Sequence, residues 1–152
     1  MFRGFSTASL DKKGRLAIPA RYRDRLAVQN RGRLVLTLSP LDRALWLYPL
    51  GEWESIEPKL AALSDFDPQA RRTKQMMRGY AGDHEPDLQG RILIPQELRE
   101  HAQLERVVVI LGQGNKFEIW NQKSWNTQRD QWLQQVGDDA AAASSALTTL
   151  SL

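Results

Sequence analysis

The chain has 152 residues, 41% hydrophobic and 26% charged, with no cysteine and a formal net charge of +3. That length suits one compact domain or two small interlocked ones. The lack of cysteine excludes disulfides, thiolate metal sites and a thiol nucleophile, and is compatible with a reducing cytoplasm. No apolar run approaches the roughly 20 residues of a membrane span, and Met1-Phe2-Arg3-Gly4 opens without the apolar stretch of a signal peptide. The charge is unevenly placed. Residues 1–33 hold 9 basic and 2 acidic side chains, residues 1–76 sum to +6, and residues 77–152 to −3. Such an asymmetry suits a basic face that meets a polyanion, with a solvated basic surface as the plain alternative.

Phe5 to Leu10, short and carrying Ser, Thr and an aromatic residue, reads as a strand. Asp11-Lys12-Lys13-Gly14 follows as a four-residue turn, in which Asp hydrogen-bonds the backbone and Gly supplies a positive φ. Arg15 to Ile18 is the return strand, with Leu16 and Ile18 on one face. Together they predict a hairpin with Lys12 and Lys13 at its tip. Pro19 fits the first position of a short helix over residues 20–27, where its missing N–H costs nothing. Strands are expected over 33–38 and 44–48 and a helix over 51–63. A further helix, carrying Arg71, Arg72, Lys74 and Arg78, is expected over 68–78 with Asp67 as its cap.

The signature then recurs. Asp11, Gly14, Arg15, Ile18 and Pro19 return as Asp87, Gly90, Arg91, Ile94 and Pro95, 76 residues on, and Arg23 and Arg99 both lie four residues past the proline. A repeat of this kind is one structural unit used twice. The second copy starts at Arg78-Gly79-Tyr80, as the first does at Arg3-Gly4-Phe5. It predicts a helix over 96–102, a buried strand over 106–111, a strand over 116–120 and a helix over 124–136. Beyond Gly137 the composition falls to Ala, Ser, Thr, Asp and Leu, which predicts a flexible tail over 137–152. The division is a first unit over 3–66 (core 5–52 plus a helix), a linking helix over 67–79, and a second unit over 80–136 (core 81–124 plus a helix). A unit of about 45 residues is too small to bury a good core alone. Intimate pairing of the copies about a pseudo-twofold axis is therefore expected, in a mainly β fold with attached helices (α+β).

The chain resembles the MraZ family over nearly its whole length. The resemblance rests on the Met1-Phe2-Arg3-Gly4 start, the doubled Asp-x-x-Gly-Arg-x-x-x-Pro, and the segments Leu47-Tyr48-Pro49 and Lys116-Phe117-Glu118-Ile119-Trp120. It implies two tandem SpoVT-AbrB domains forming a swapped-hairpin barrel, in which strands of each half complete the other. It also implies a cytoplasmic, nucleoid-associated bacterial transcriptional regulator, encoded with cell-division and cell-wall genes. Such a protein binds double-stranded DNA at direct repeats upstream of its own operon and assembles into a closed homo-oligomeric ring.

Affinity for DNA comes largely from cations against phosphates, and base choice from side chains in the grooves. A two-stranded ribbon fits the major groove, where Arg bonds guanine bidentately. The resemblance associates the Asp-x-x-Gly-Arg element with DNA contact, and its arginine matches Arg15. Lys12 and Lys13 are the phosphate candidates, because Leu88 and Gln89 replace them in the second copy. Arg21 and Arg25, four apart on one helix face, face Glu97 and His101 in the second copy and are further candidates, with a solvated face as the alternative. Arg3, matched by Arg78, is secondary. Asp11, Gly14, Pro19, Asp87, Gly90, Arg91 and Pro95 are read as the structural motif. For Arg15 and Arg91 an internal ion pair with a carboxylate stands beside DNA contact, and matched Arg23 and Arg99 are read as structural.

Nothing in the chain favours an enzyme. His84 and His101 lack metal-ligand spacing, no P-loop or triad is visible, and no cofactor, metal or small-molecule substrate is expected. The acidic residues Asp83, Glu85 and Asp87 read as an exposed loop. With the resemblance to the MraZ family, the expected function is a repressor of the protein's own cell-division and cell-wall operon. An oligomeric nucleoid-associated scaffold and an antitoxin-like DNA binder are the alternatives.

Overall fold

The computed structural model describes residues 1–138 and 149–150. The expected tail over 137–152 lies outside the described residues except at 137–138 and 149–150. By internal packing the chain divides into two units, residues 1–122 and residues 123–152.

The architecture is mixed α/β, with every strand pairing antiparallel. In chain order the elements of the first unit are β1 (Phe2–Ser9), β2 (Arg15–Ala17), α1 (Ala20–Val28), a 3-10 turn (Asn30–Gly32), β3 (Leu34–Leu38), β4 (Leu45–Pro49), α2 (Leu50–Ala61), α3 (Pro68–Gly79), β5 (Gly82–His84), β6 (Arg91–Leu93), α4 (Gln96–His101), β7 (Val107–Gly114) and β8 (Phe117–Asn121). Six strands form one sheet in the order β1-β7-β8-β4-β3-β5, and β2 pairs with β6 in a separate ribbon. The six-stranded sheet is open, with β1 and β5 as its outer strands.

The pairings cross the repeat. β1 of the first copy pairs with β7 of the second over eight residues, from Phe2 opposite Gly114 to Ser9 opposite Val107. β5 of the second copy pairs with β3 of the first, Leu34 opposite His84. The ribbon joins one strand from each copy. This corrects the expected hairpin. β1 and β2 form no ladder, and only a bridge between Leu10 and Leu16 remains around the turn. A three-residue β2 offers little to an eight-residue strand, whereas β7 matches β1 along its length.

Period-two alternation explains the layers. Leu34, Leu36, Leu45, Leu47, Val108, Ile110, Phe117 and Ile119 point to one face of the sheet, where Leu16, Ile18, Ile92, Ile94, Tyr22, Leu26 and Leu98 complete the main core. The ribbon, α1 and α4 therefore cover that face. The opposite face of β3 and β4 buries Val35 and Tyr48 against Trp53, Leu60 and Met77 of α2 and α3. Thr37 is satisfied there by donating to the Met77 carbonyl at 2.6 Å.

Pro19 and Pro95 sit one place earlier than expected. Each is the extended cap residue before the first helical residue (ψ 135° and 147°), not part of the helix. Asp67 caps α3 as expected, accepting from Gln69 N at 3.1 Å. The second copy's first strand starts later than the repeat suggests. α3 continues through Gly79, so Arg78-Gly79 is helical where Arg3-Gly4 is strand, and β5 keeps three residues.

Helix α5 (Gln122–Asp138) starts at the last residue of the first unit; in the second unit it carries Trp125 and Trp132, whose rings meet edge to face at 5.9 Å.

Candidate nucleic-acid interface

The ribbon explains why the motif's arginines point outward. Its register sets Arg15 opposite Leu93, Leu16 opposite Ile92, and Ala17 opposite Arg91. Leu16 and Ile92 are buried, so the alternation puts Arg15, Ala17, Arg91 and Leu93 on the outer face. Two arginines, one from each copy, thus share one ribbon face.

The turn before each arginine is built the same way. Asp11 Oδ1 accepts from the backbone N–H of Lys13 at 2.9 Å and of Arg15 at 2.8 Å. Asp11 Oδ2 accepts from Arg15 Nε at 2.7 Å. Gly14 N donates to the Asp11 carbonyl at 3.0 Å, and Asp11 N to the Arg15 carbonyl at 2.9 Å. In the second copy Asp87 Oδ1 accepts from Gln89 N, and from Arg91 N, at 2.9 Å each, and its Oδ2 from Arg91 Nε at 2.9 Å. Gly14 and Gly90 have φ of +85° and +75°, which glycine adopts without strain. Both carboxylates are held below the ordinary value. The backbone N–H of the following arginine is the largest cause, with that arginine's guanidinium adding to it against opposing desolvation.

The internal ion pair is thus present in both copies, Asp11 with Arg15 and Asp87 with Arg91. It occupies Nε and leaves the two terminal nitrogens of each guanidinium without a hydrogen-bond partner among the described residues. Lys12 and Lys13 are exposed at the tip of the first turn; at the second tip Leu88 is fully exposed and Gln89 exposed.

The structure places the remaining candidates elsewhere. Arg21 donates to the Phe5 carbonyl at 2.9 Å and to the Ser6 hydroxyl, and lies over the Tyr22 ring at 4.8 Å. Arg25 donates to the Met1 carbonyl at 3.1 Å and lies over the Phe2 ring at 4.9 Å. Both are engaged with β1, away from the turn tips. Arg3 is exposed on β1. Lys74 of α3 is tied to Asp65 and to the Leu63 carbonyl. Among the described residues no group of three His, Cys, Asp or Glu could hold a metal ion. No helix among them is long and apolar enough to cross a membrane.

Two contributions escaped the sequence reading. One is Leu93, half-exposed on the ribbon beside Arg15. Its signal was present, since strict alternation from buried Ile92 turns it outward. The other is the packing of Arg23 and Arg99. A Cβ added at Gly14 would lie 2.8 Å from the Arg99 guanidinium carbon, and one at Gly90 would lie 2.5 Å from Arg23 Nε. Each turn is thus overlaid by an arginine from the other copy's helix, which follows only once the strand exchange is known.

The fold and the ribbon define a class: a two-copy, antiparallel α/β protein with an outward-facing arginine pair and one lysine-tipped turn. A family model described as "MraZ protein, putative antitoxin-like" matches residues 1–76 and again residues 77–147. The chain belongs to the MraZ family. It is 47% identical to the transcriptional regulator MraZ of Halorhodospira halophila over all of both chains. It is 53% identical to that of Thiobacillus denitrificans over 88% of this chain and 89% of the relative. The transcriptional regulator MraZ of Actinobacillus pleuropneumoniae is 49% identical over all of both chains.

Proposed function

We propose that this protein is a sequence-specific DNA-binding transcriptional regulator that represses its own cell-division and cell-wall operon. The observation that carries the reading is the ribbon's outer face: Arg15 on a short paired strand, with two exposed lysines on the turn before it. A two-stranded ribbon fits the major groove, arginine reads guanine there, and lysines at the tip reach phosphates. The names of the relatives support the regulatory role. The crossed pairings of β1 with β7, β5 with β3 and β2 with β6 support a reading as two tandem SpoVT-AbrB-like units, over 3–66 and 80–136. In it they exchange strands as a swapped-hairpin barrel about a pseudo-twofold axis.

In this reading the chain works in the cytoplasm on the nucleoid as a ring of identical copies. Each copy offers one lysine-tipped turn to one short direct repeat. Linked repeats then bind far more tightly than one, through effective concentration, and a ring seated on a promoter blocks polymerase.

The test is binding to a duplex carrying several direct repeats from upstream of the gene, for wild type and Arg15→Ala at two salt concentrations, with mass by light scattering. The proposal expects tight, salt-sensitive binding by wild type, loss in the variant, and unchanged assembly. Equal binding by both proteins removes Arg15 from the interface. Binding by neither, to repeats or to unrelated DNA, leaves an oligomeric scaffold as the better account.

A further inference from the structure

The lysine-tipped turn is held at three points, all supplied by the second copy. At its start, Leu10 N donates to the Arg106 carbonyl at 2.7 Å. At its end, Ile94 N donates to the Gly14 carbonyl at 2.8 Å. Between them the Arg99 guanidinium lies against Gly14, so close that no side chain fits there. Arg99 Nε is buried and has no hydrogen-bond partner among the described residues. An arginine placed this way is used for its flat packing surface, not for a hydrogen bond through Nε.

The second turn is held less completely. Ile18 N donates to the Gly90 carbonyl at 2.8 Å, and Arg23 lies against Gly90 while donating from Nε to the Ile18 carbonyl at 2.7 Å. At its start, however, the residue equivalent to Leu10 is Pro86, which has no N–H to give. The turn that carries lysines is therefore the one anchored at both ends and in the middle.

We infer that Arg99 is a positioning residue: from the second copy, it fixes the Lys12-Lys13 turn of the first in the shape that meets a DNA backbone. The inference rests on the DNA-binding reading above for its ligand, and on the crossed packing for its geometry. Its consequence is a division of labour within one chain. The first copy supplies the cations and the second supplies the surface that holds them, so the binding turn exists only in the paired molecule. A turn already held in its bound shape loses less ordering entropy on binding, which is where such support acts.

The experiment compares full-length wild type, Arg99→Lys and Arg23→Lys. Lysine keeps the charge and removes the guanidinium plane. Two quantities are read: affinity for the direct-repeat duplex across a salt series, and amide hydrogen exchange over residues 11–15 and 87–91. Arg99→Lys is expected to bind roughly tenfold more weakly with the salt slope of wild type, because no phosphate contact is removed. Its amides over 11–15 exchange several-fold faster and those over 87–91 do not. Arg23→Lys shows the reverse exchange pattern and wild-type affinity. Unchanged exchange over 11–15 in Arg99→Lys overturns the inference, and so does wild-type affinity in that variant, as expected of a phosphate contact that lysine replaces. Equal weakening by Arg23→Lys also overturns it, because the loss is then general. Exchange in β3 and β4 reports whether the fold is retained. If Arg99→Lys loses it, Arg99→Met, which keeps an apolar stem over the turn, carries the same expectations. If wild type itself binds no DNA, the functional reading fails, while exchange still decides whether Arg99 positions the turn.

Discussion

The Tyr22 hydroxyl donates to the Arg3 carbonyl at 2.6 Å, and that bond closes the outer edge of the sheet. On either side of it, Arg25 reaches the Met1 carbonyl and Arg21 the Phe5 carbonyl. The three acceptors, at residues 1, 3 and 5, alternate along β1 and the residue just before it, so they are the carbonyls turned away from β7. A bare edge strand is a template for pairing with another chain, and here α1 covers it side chain by side chain. Gly4 permits the approach: its φ is +111°, and a Cβ there would lie 2.9 Å from the Arg21 guanidinium.

Tyr22→Phe is therefore expected to destabilise the protein by about 0.5–1.5 kcal/mol, through one lost, partly buried hydrogen bond to an edge-strand carbonyl. In urea the midpoint falls while the slope stays the same. Arg21→Gln and Arg25→Gln should also lower the midpoint and leave the salt dependence of DNA binding unchanged. A salt slope reduced by about one in either variant would instead return that arginine to the DNA interface.

Much of this arrangement was legible in the residues. Leu34 to Leu38 and Val107 to Leu111 are apolar runs that read as strands, and the Asp-x-x-Gly turns follow from the chemistry of Asp and Gly. Partner choice was not legible. Phe5 to Leu10 sits next to Arg15 to Ile18 in sequence, which argues for a hairpin, yet β7, some hundred residues away, offers a full-length ladder. Arg78-Gly79 repeats Arg3-Gly4 but continues the helix begun at Pro68, because local propagation outweighs equivalence within a repeat. The charges of Arg21 and Arg25 were visible, while the carbonyls they serve were not.

Gly14 and Gly90 separate folding from binding. Alanine at either position meets a positive φ and an arginine within 3 Å. Each substitution is expected to cost about 1–3 kcal/mol, read as a shift in thermal midpoint. Only Gly14→Ala should also lower affinity for the direct repeats, since Gly90 serves a turn tipped by Leu88 and Gln89. Equal loss of DNA affinity in both variants would mean that the two turns act as one surface.

Lys12→Leu with Lys13→Gln writes the second copy's tip onto the first. Removing two phosphate-facing cations should lower the salt slope of binding by about two, at unchanged stability. The reverse exchange, Leu88→Lys with Gln89→Lys, adds charge on a turn with no anchor at its start. It should strengthen binding to unrelated DNA as much as to the repeats, because charge without position carries no sequence information. Competition binding with both duplexes measures the difference, and a gain confined to the repeats would place the second turn in the specific interface.

Acid should weaken the fold in two separate steps. His84 and His101 lie below their ordinary value of 6.5, mainly because burial disfavours the charged ring; Arg43 adds to this at His101, where the Asp42 carbonyl opposes it. The unfolded chain therefore takes up these protons before the folded one does. Stability present above pH 6.5 declines as the pH falls from there toward the lower folded values. Asp11 and Asp87 lie below their ordinary value of 3.8, held by the N–H groups and guanidinium of the following arginine. Their contribution is complete above that value and is lost only as the pH falls through their lower folded values. Urea unfolding across a pH series should show both steps. His84→Gln with His101→Gln should flatten the upper one alone, and Asp11→Asn with Asp87→Asn should reduce the lower one alone, since Asp65, also held below its ordinary value by Lys74, keeps its share. A histidine double variant whose profile runs parallel to wild type would place the upper step on other groups.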